Sequence, residues 1–138
     1  MFKKQRRKTC HGKRLVSAGL LGLMLMGSLP ATALAANVTD TYYNQYCGVT
    51  GFSTPARAKQ DASSAYIYHQ GSRAVNVRVC SDGVNYSANG NSYYVEAGKA
   101  VYLPNYVKEN GRASCYLHLT PSPSGSCNLY GCWSPDSV

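Results

Sequence analysis

The chain has 138 residues, a length that suits one domain, and carries fourteen Lys and Arg against six Asp and Glu for a net charge of +8. Seven of the basic residues (Lys3, Lys4, Arg6, Arg7, Lys8, Lys13 and Arg14) fall in the first fourteen positions, so the rest of the chain holds seven basic and six acidic residues and is nearly neutral. Charge therefore gives no support to a nucleic-acid or anionic-membrane partner, because phosphate binding needs a clustered basic surface.

The basic opening runs into an apolar stretch from Leu15 to Leu29, then Pro30, then Ala33-Leu34-Ala35. A charged n-region, an apolar h-region and small residues at the two positions a signal peptidase reads are the parts of a secretory signal peptide, with cleavage expected before Ala36. The apolar stretch is shorter than the roughly twenty residues that span a bilayer as a helix. Residues 1–35 are thus expected to leave, and the mature protein to be secreted and extracellular with no membrane anchor after cleavage. Cleavage would remove half of the basic residues and leave 103 residues with a net charge of +1.

In the remainder, Asn37 to Pro55 is broken by polar and turn residues and reads as an irregular N-terminal arm over 36–63 with one strand at most; Thr54 to Ala62 is the only segment with any helical character. From Ser64 the pattern sharpens. Ser64 to His69 and Ala74 to Cys80 are β-branched or aromatic runs separated by Gln70-Gly71-Ser72-Arg73, which predicts two strands joined as a hairpin. Ser81-Asp82-Gly83 and Asn89-Gly90-Asn91 supply turn chemistry. Strands are then expected over Tyr93–Glu96, Lys99–Leu103 and Ala113–Thr120, with a last extended piece near Cys127–Trp133. Short strands with glycine-rich turns predict an all-β fold over 64–138, a small antiparallel β-sandwich or barrel on which the arm packs.

Alternation sorts the faces. Ile67, Val75, Val77, Val79, Val101, Leu103, Leu117 and Leu119 are expected to form the core. Tyr66, Tyr68, Arg78, Tyr102, Tyr116 and His118 then point outward and form the candidate ligand-binding face. Tyrosine presents a flat apolar ring with a polar rim, suited to protein or carbohydrate contact, although it is also a favoured strand residue that pairs across strands. Trp133, the sole tryptophan, is expected to cap the core rather than anchor a partner.

Cys10 belongs to the leader, and Cys47, Cys80, Cys115, Cys127 and Cys132 remain as disulfide candidates in an oxidising compartment. The number is odd, so at most two bridges form within one molecule; the fifth cysteine is a buried thiol, the link of a disulfide-bonded dimer or an adapter to another molecule. Cys127 and Cys132 flank four residues that a bridge would close into a tight loop. Cys115, Cys127, Cys132 and His118 lack the Cys-x-x-Cys spacing of structural zinc sites, so no metal or other cofactor is expected. Cys115 and His118 are three apart in one strand and point to opposite faces, which rules out a local nucleophile–base pair. The carboxylates show no paired spacing for general acid–base work and no Gly-x-Ser-x-Gly elbow follows the leader, so an enzyme is not expected.

Asn105-Tyr106-Val107-Lys108-Glu109-Asn110-Gly111 and the terminal Gly131-Cys132-Trp133-Ser134-Pro135-Asp136-Ser137, with Lys59-Gln60-Asp61 and Tyr66-Ile67-Tyr68, resemble an uncharacterised family of small secreted Gram-positive bacterial proteins. The resemblance covers most of the mature chain, implies secretion and a β fold, and supplies no catalytic residue. The function expected is a secreted binding or interaction module at or near the bacterial cell surface, with a protein or cell-wall glycan as ligand. The alternative is a bacteriocin-like secreted antagonist or an inhibitor of an extracellular enzyme, acting through loops such as Pro121 to Ser126.

Overall fold

The computed structural model describes residues 36–137; the leader expected over 1–35 lies outside the described residues. Within them there are ten strands and no helix: β1 (Thr41–Cys47), β2 (Phe52–Ser53), β3 (Arg57–Ala58), β4 (Ala65–His69), β5 (Ala74–Ser81), β6 (Val84–Asn85), β7 (Tyr93–Val95), β8 (Lys99–Leu103), β9 (Ser114–Ser122) and β10 (Cys127–Ser134). They form two antiparallel sheets, one in the order β1-β10-β4-β8, the other in the order β2-β9-β5-β6 with β3 also on β9 and β7 also on β5. Both sheets are open, so the barrel alternative is set aside. Their inner faces share one core.

The expected core holds. Ile67, Val75, Val77, Val79, Leu103, Leu117 and Leu119 are fully buried and Val101 packs against them half-buried. Alternation is clearest on β9, where every second residue from Cys115 to Pro121 is buried. Trp133 joins this core, 1 % exposed. Arg57 lies over its ring at 5.4 Å and donates from Nη1 to its carbonyl.

Two expectations about connectivity fail. Ser64–His69 and Ala74–Cys80 are not a hairpin: β4 pairs β10 and β8, whereas β5 pairs β9, β6 and β7. The Gln70–Arg73 link carries the chain from one sheet to the other, fixed where the His69 Nε2 bonds the Arg73 carbonyl at 2.6 Å. The tight two-residue hairpin lies one strand later, between β5 and β6, where Asp82 and Gly83 both take positive φ (47° and 78°). That is the backbone a hairpin turn matching the right-handed strand twist demands. The 36–63 stretch likewise holds more regular structure than an irregular arm. β1 pairs all seven of its residues with β10, from Thr41 opposite Trp133 to Cys47 opposite Cys127, so both ends of the described chain lie in one sheet.

Two buried polar devices hold that closure. Lys59 and Asp136 form an ion pair of 2.7 Å with both side chains fully buried. Burial alone costs several kcal/mol per ion unless every polar atom is bonded, and here they are. Lys59 Nζ also donates to the carbonyls of Ser63 (2.5 Å) and Pro135 (2.9 Å), while Asp136 Oδ2 accepts from the backbone N–H of Asn37 (2.7 Å) and Gln60 (2.9 Å). Burial pushes the Asp136 carboxyl up, but the hydrogen bonds from Lys59, Asn37 and Gln60 outweigh it and the net shift is downward. The second device spans β10. Tyr43 and His69 both stand opposite Gly131, one from each neighbouring strand, and the Tyr43 hydroxyl lies 2.8 Å from His69 Nδ1. The Arg73 carbonyl can only accept, so His69 carries its proton on Nε2, and Tyr43 donates to Nδ1. A Cβ at residue 131 would fall 2.6 Å from the Tyr43 hydroxyl and 2.3 Å from the Tyr68 carbonyl oxygen, which explains a glycine in mid-strand.

Candidate functional site

The six residues expected to share one ligand face stand on two sheets that back onto opposite sides of the core. Tyr66 opposes Tyr102, and Tyr68 opposes Cys132 and Ala100, so the three tyrosines lie on the outer face of the β1-β10-β4-β8 sheet. Arg78 opposes His118, and Cys80 opposes Tyr116, on the outer face of the other sheet. Alternation within each strand was read correctly, but it cannot say which sheet a strand joins.

The first sheet gains residues that the sequence reading missed. Tyr42 and Tyr46 on β1 and Tyr130 on β10 alternate onto the same outer face, Tyr42 opposite Cys132 and Tyr130 opposite Asn44. Their signal was present in Tyr42-x-Asn44-x-Tyr46, a period of two that polar residues obscured. Tyr42 and Tyr46 are 64 % and 67 % exposed, and Tyr102 and Tyr130 stand partly in solvent. Tyr66 is the exception: it packs at 5.6 Å against the Tyr102 ring, tilted by 54°, and is buried. Cys132 lies between Tyr42 and Tyr68 and is fully buried.

The result is six tyrosines on four adjacent strands. From Tyr42 to Tyr46 the face runs about 13 Å along the strand, and four strands span about 14 Å across. Between the rings lie amides, with Asn128 Nδ2 donating to Asn44 Oδ1 at 2.9 Å. Every residue that register places on this face between β1 and β8 is uncharged: Tyr42, Asn44, Tyr46, Asn128, Tyr130, Cys132, Ser134, Tyr66, Tyr68, Ala100 and Tyr102.

The opposite face is different in kind. Arg78 is exposed beside His118, whose Nδ1 lies 2.9 Å from the Ser53 hydroxyl. A serine beside an imidazole invites a nucleophilic reading, which also needs a third group to orient the base. Among the described residues the hydrogen bonds of His118 include no carboxylate, and those of His69 run to Tyr43 and Arg73.

The sequence's zinc alternative has no geometry. Cys115 points into the core opposite Arg57, Cys132 faces out of the first sheet, His118 faces out of the second, and Cys127 opposes Cys47. Among the described residues no group of three metal-ligating side chains gathers.

Residues 30–137 match the family model DUF2712, described as a protein of unknown function, and the chain belongs to that family. No curated protein and no solved structure matches it.

Proposed function

We propose that this member of the DUF2712 family is an exported binding module whose tyrosine sheet face holds a neutral glycan strand at the bacterial cell surface. The observation that carries the reading is the convergence of six tyrosines, from strands far apart in sequence, on one uncharged sheet face. Phenol rings stack on the apolar faces of sugar rings, and their hydroxyls, with the Asn44 and Asn128 amides, match the sugar hydroxyls. A flat surface without charge or aliphatic anchor suits a glycan better than a protein partner, whose hot spots are packed pockets. Export rests on the signal-peptide features of residues 1–35, and the bacterial surface on the resemblance to small secreted Gram-positive proteins. On this reading the chain is a binding protein and not an enzyme.

The test is co-sedimentation of the exported protein with purified, protein-free Gram-positive cell walls. A Tyr42→Ala/Tyr46→Ala variant should bind about tenfold less tightly or worse, with an unchanged melting temperature because both rings stand in solvent. An Arg78→Ala/His118→Ala variant should bind like the parent. Equal binding by all three proteins, or loss only from the Arg78/His118 pair, would sink the proposal. Binding to whole cells but not to bare walls would shift the search to a protein target, and growth inhibition without binding to the antagonist alternative.

A further inference from the structure

Among the described residues Cys47, Cys80, Cys115, Cys127 and Cys132 form no disulfide, and all but Cys127 are buried. Register separates three of them. Cys80 faces out of the second sheet opposite Tyr116, Cys115 faces the core opposite Arg57, and Cys132 faces out of the first sheet between Tyr42 and Tyr68. The tight loop expected from Cys127 and Cys132 is not available: both lie on β10, five residues apart along an extended strand, which is roughly 16 Å and opposite faces. Cys115 is further removed from chemistry, because burial pushes its thiol up to about 12 despite nearby Lys59 and Arg57.

Cys47 and Cys127 differ from the other three. They are the last directly opposed pair of the β1–β10 ladder and point to the same face. Directly opposed residues have Cα atoms about 4.5–5.5 Å apart, inside the roughly 4.4–6.8 Å that a disulfide spans. Burial raises the Cys47 thiol, and the adjacent Cys127 sulfur, to which it is hydrogen-bonded, raises it further. Cys127 is half-buried and the more accessible of the two.

We propose that Cys47 and Cys127 are a redox site that is oxidised after export to a cross-strand disulfide, while Cys80, Cys115 and Cys132 stay thiols. The oxidant is a disulfide donor of the extracytoplasmic space, either a thiol oxidoreductase or a small-molecule disulfide. The Cys127 thiolate attacks one donor sulfur, breaking the donor S–S bond and releasing one donor thiol. The Cys47 thiolate then attacks Cys127 Sγ of the mixed disulfide and releases the second donor thiol. Two thiols and one donor disulfide give one protein disulfide and two donor thiols, the protein losing two hydrogens that the donor carries away.

The position gives the bond a purpose. Among the described residues β1 is an edge strand whose one ladder partner is β10, and it carries Tyr42 and Tyr46. Its entry is fixed through Asn37, which bonds Asp136. Its exit, at Cys47, is where the chain leaves for the other sheet through Gly48–Gly51. The bond closes that end.

The experiment uses the exported protein treated with oxidised glutathione, acid-quenched, and alkylated in guanidinium with and without prior reduction. Mass spectrometry should count three alkyl groups before reduction and five after it, with one linked peptide pair containing Cys47 and Cys127. Reduction should lower the melting temperature by roughly 10–20 °C, and the Cys132→Ser variant should keep the bond. Five alkyl groups before reduction, a bridge to any of the other three cysteines, or a disulfide-linked dimer through Cys127 would each overturn the proposal. The mass count needs no variant to fold.

Discussion

The two sheets are built on different principles. The β5–β9 sheet is closed by aliphatic burial: Val75, Val77, Val79, Leu117 and Leu119 fill its inner face, and its β5–β6 corner is a local Asp-Gly turn. The β1-β10-β4-β8 sheet joins the two ends of the described chain and adds to its core residues Ile67, Leu103 and Leu129 two buried polar contacts, Lys59 with Asp136 and Tyr43 with His69. Apolar packing is non-directional and tolerates swaps of side chain that conserve volume. A fully bonded polar contact accepts one geometry only. The sheet whose register must be exact to bring six tyrosines together is the one fixed by polar bonds.

Breaking the ion pair is the most severe challenge to this contrast. Lys59→Met removes the ammonium bonded to Asp136 Oδ1 and leaves the Pro135 and Ser63 carbonyls without their shared donor. The expected loss is about 3–5 kcal/mol, read as a lower urea midpoint at unchanged slope. Leu117→Ala in the other sheet should cost a comparable 2–5 kcal/mol. The two should differ in what survives: at a temperature where both remain folded, glycan binding should fall with Lys59→Met and persist with Leu117→Ala. Equal binding by both would remove the distinction between the sheets.

Next in size is Gly131. An alanine there places Cβ against the Tyr68 carbonyl and the Tyr43 hydroxyl, and overpacking of this kind costs about 1–3 kcal/mol. Tyr43→Phe tests the same contact without the clash. It leaves His69 Nδ1 buried and unbonded at about 1–3 kcal/mol. If the bond is what fixes β1, the double variant should cost clearly less than the sum of the two singles. Strict additivity would show Gly131 to matter only through the Tyr68 carbonyl.

Most strands were legible because their residues repeat with a period of two where one face is buried: β5 and β9 are nearly pure examples, and their core residues emerge directly. The partners of those strands were not legible. Ile67 and Val77 look alike in sequence, yet one faces the core from each sheet, and only long-range pairing decides which. β1 escaped because its inward residues, Tyr43 and Cys47, are not the aliphatics that mark a buried face, and its outward Tyr42 and Tyr46 are aromatics with nothing local to set them apart from Tyr43. Lys59 and Asp136 could not be paired at all. Seventy-seven residues separate them, and nothing local distinguishes a buried charge from a solvated one until its partner is known.

The smallest effect concerns protons. Burial lowers the His69 pKa from its usual 6.5, the bond to the Arg73 carbonyl opposing it only in part. Below the unfolded value the unfolded chain binds a proton that the folded protein declines, so the stability this neutral histidine supports is complete above pH 6.5. It is lost as the pH falls towards the folded pKa, and the loss then levels off. Urea midpoints of residues 36–138 should fall as the pH drops from about 7 to 5 and stay level in His69→Gln. An imidazole titration followed by NMR on the parent protein reads the same quantity if His69→Gln does not fold. Asp136 follows the same sign at lower pH: its contribution is present above the unfolded carboxyl value of 3.8 and disappears as the pH drops through its depressed folded value. Acid should therefore loosen the tyrosine-bearing sheet in two steps, first at the Tyr43–His69 bond and then at the ion pair, and a single transition starting below pH 4 would show that the histidine contributes nothing to holding it.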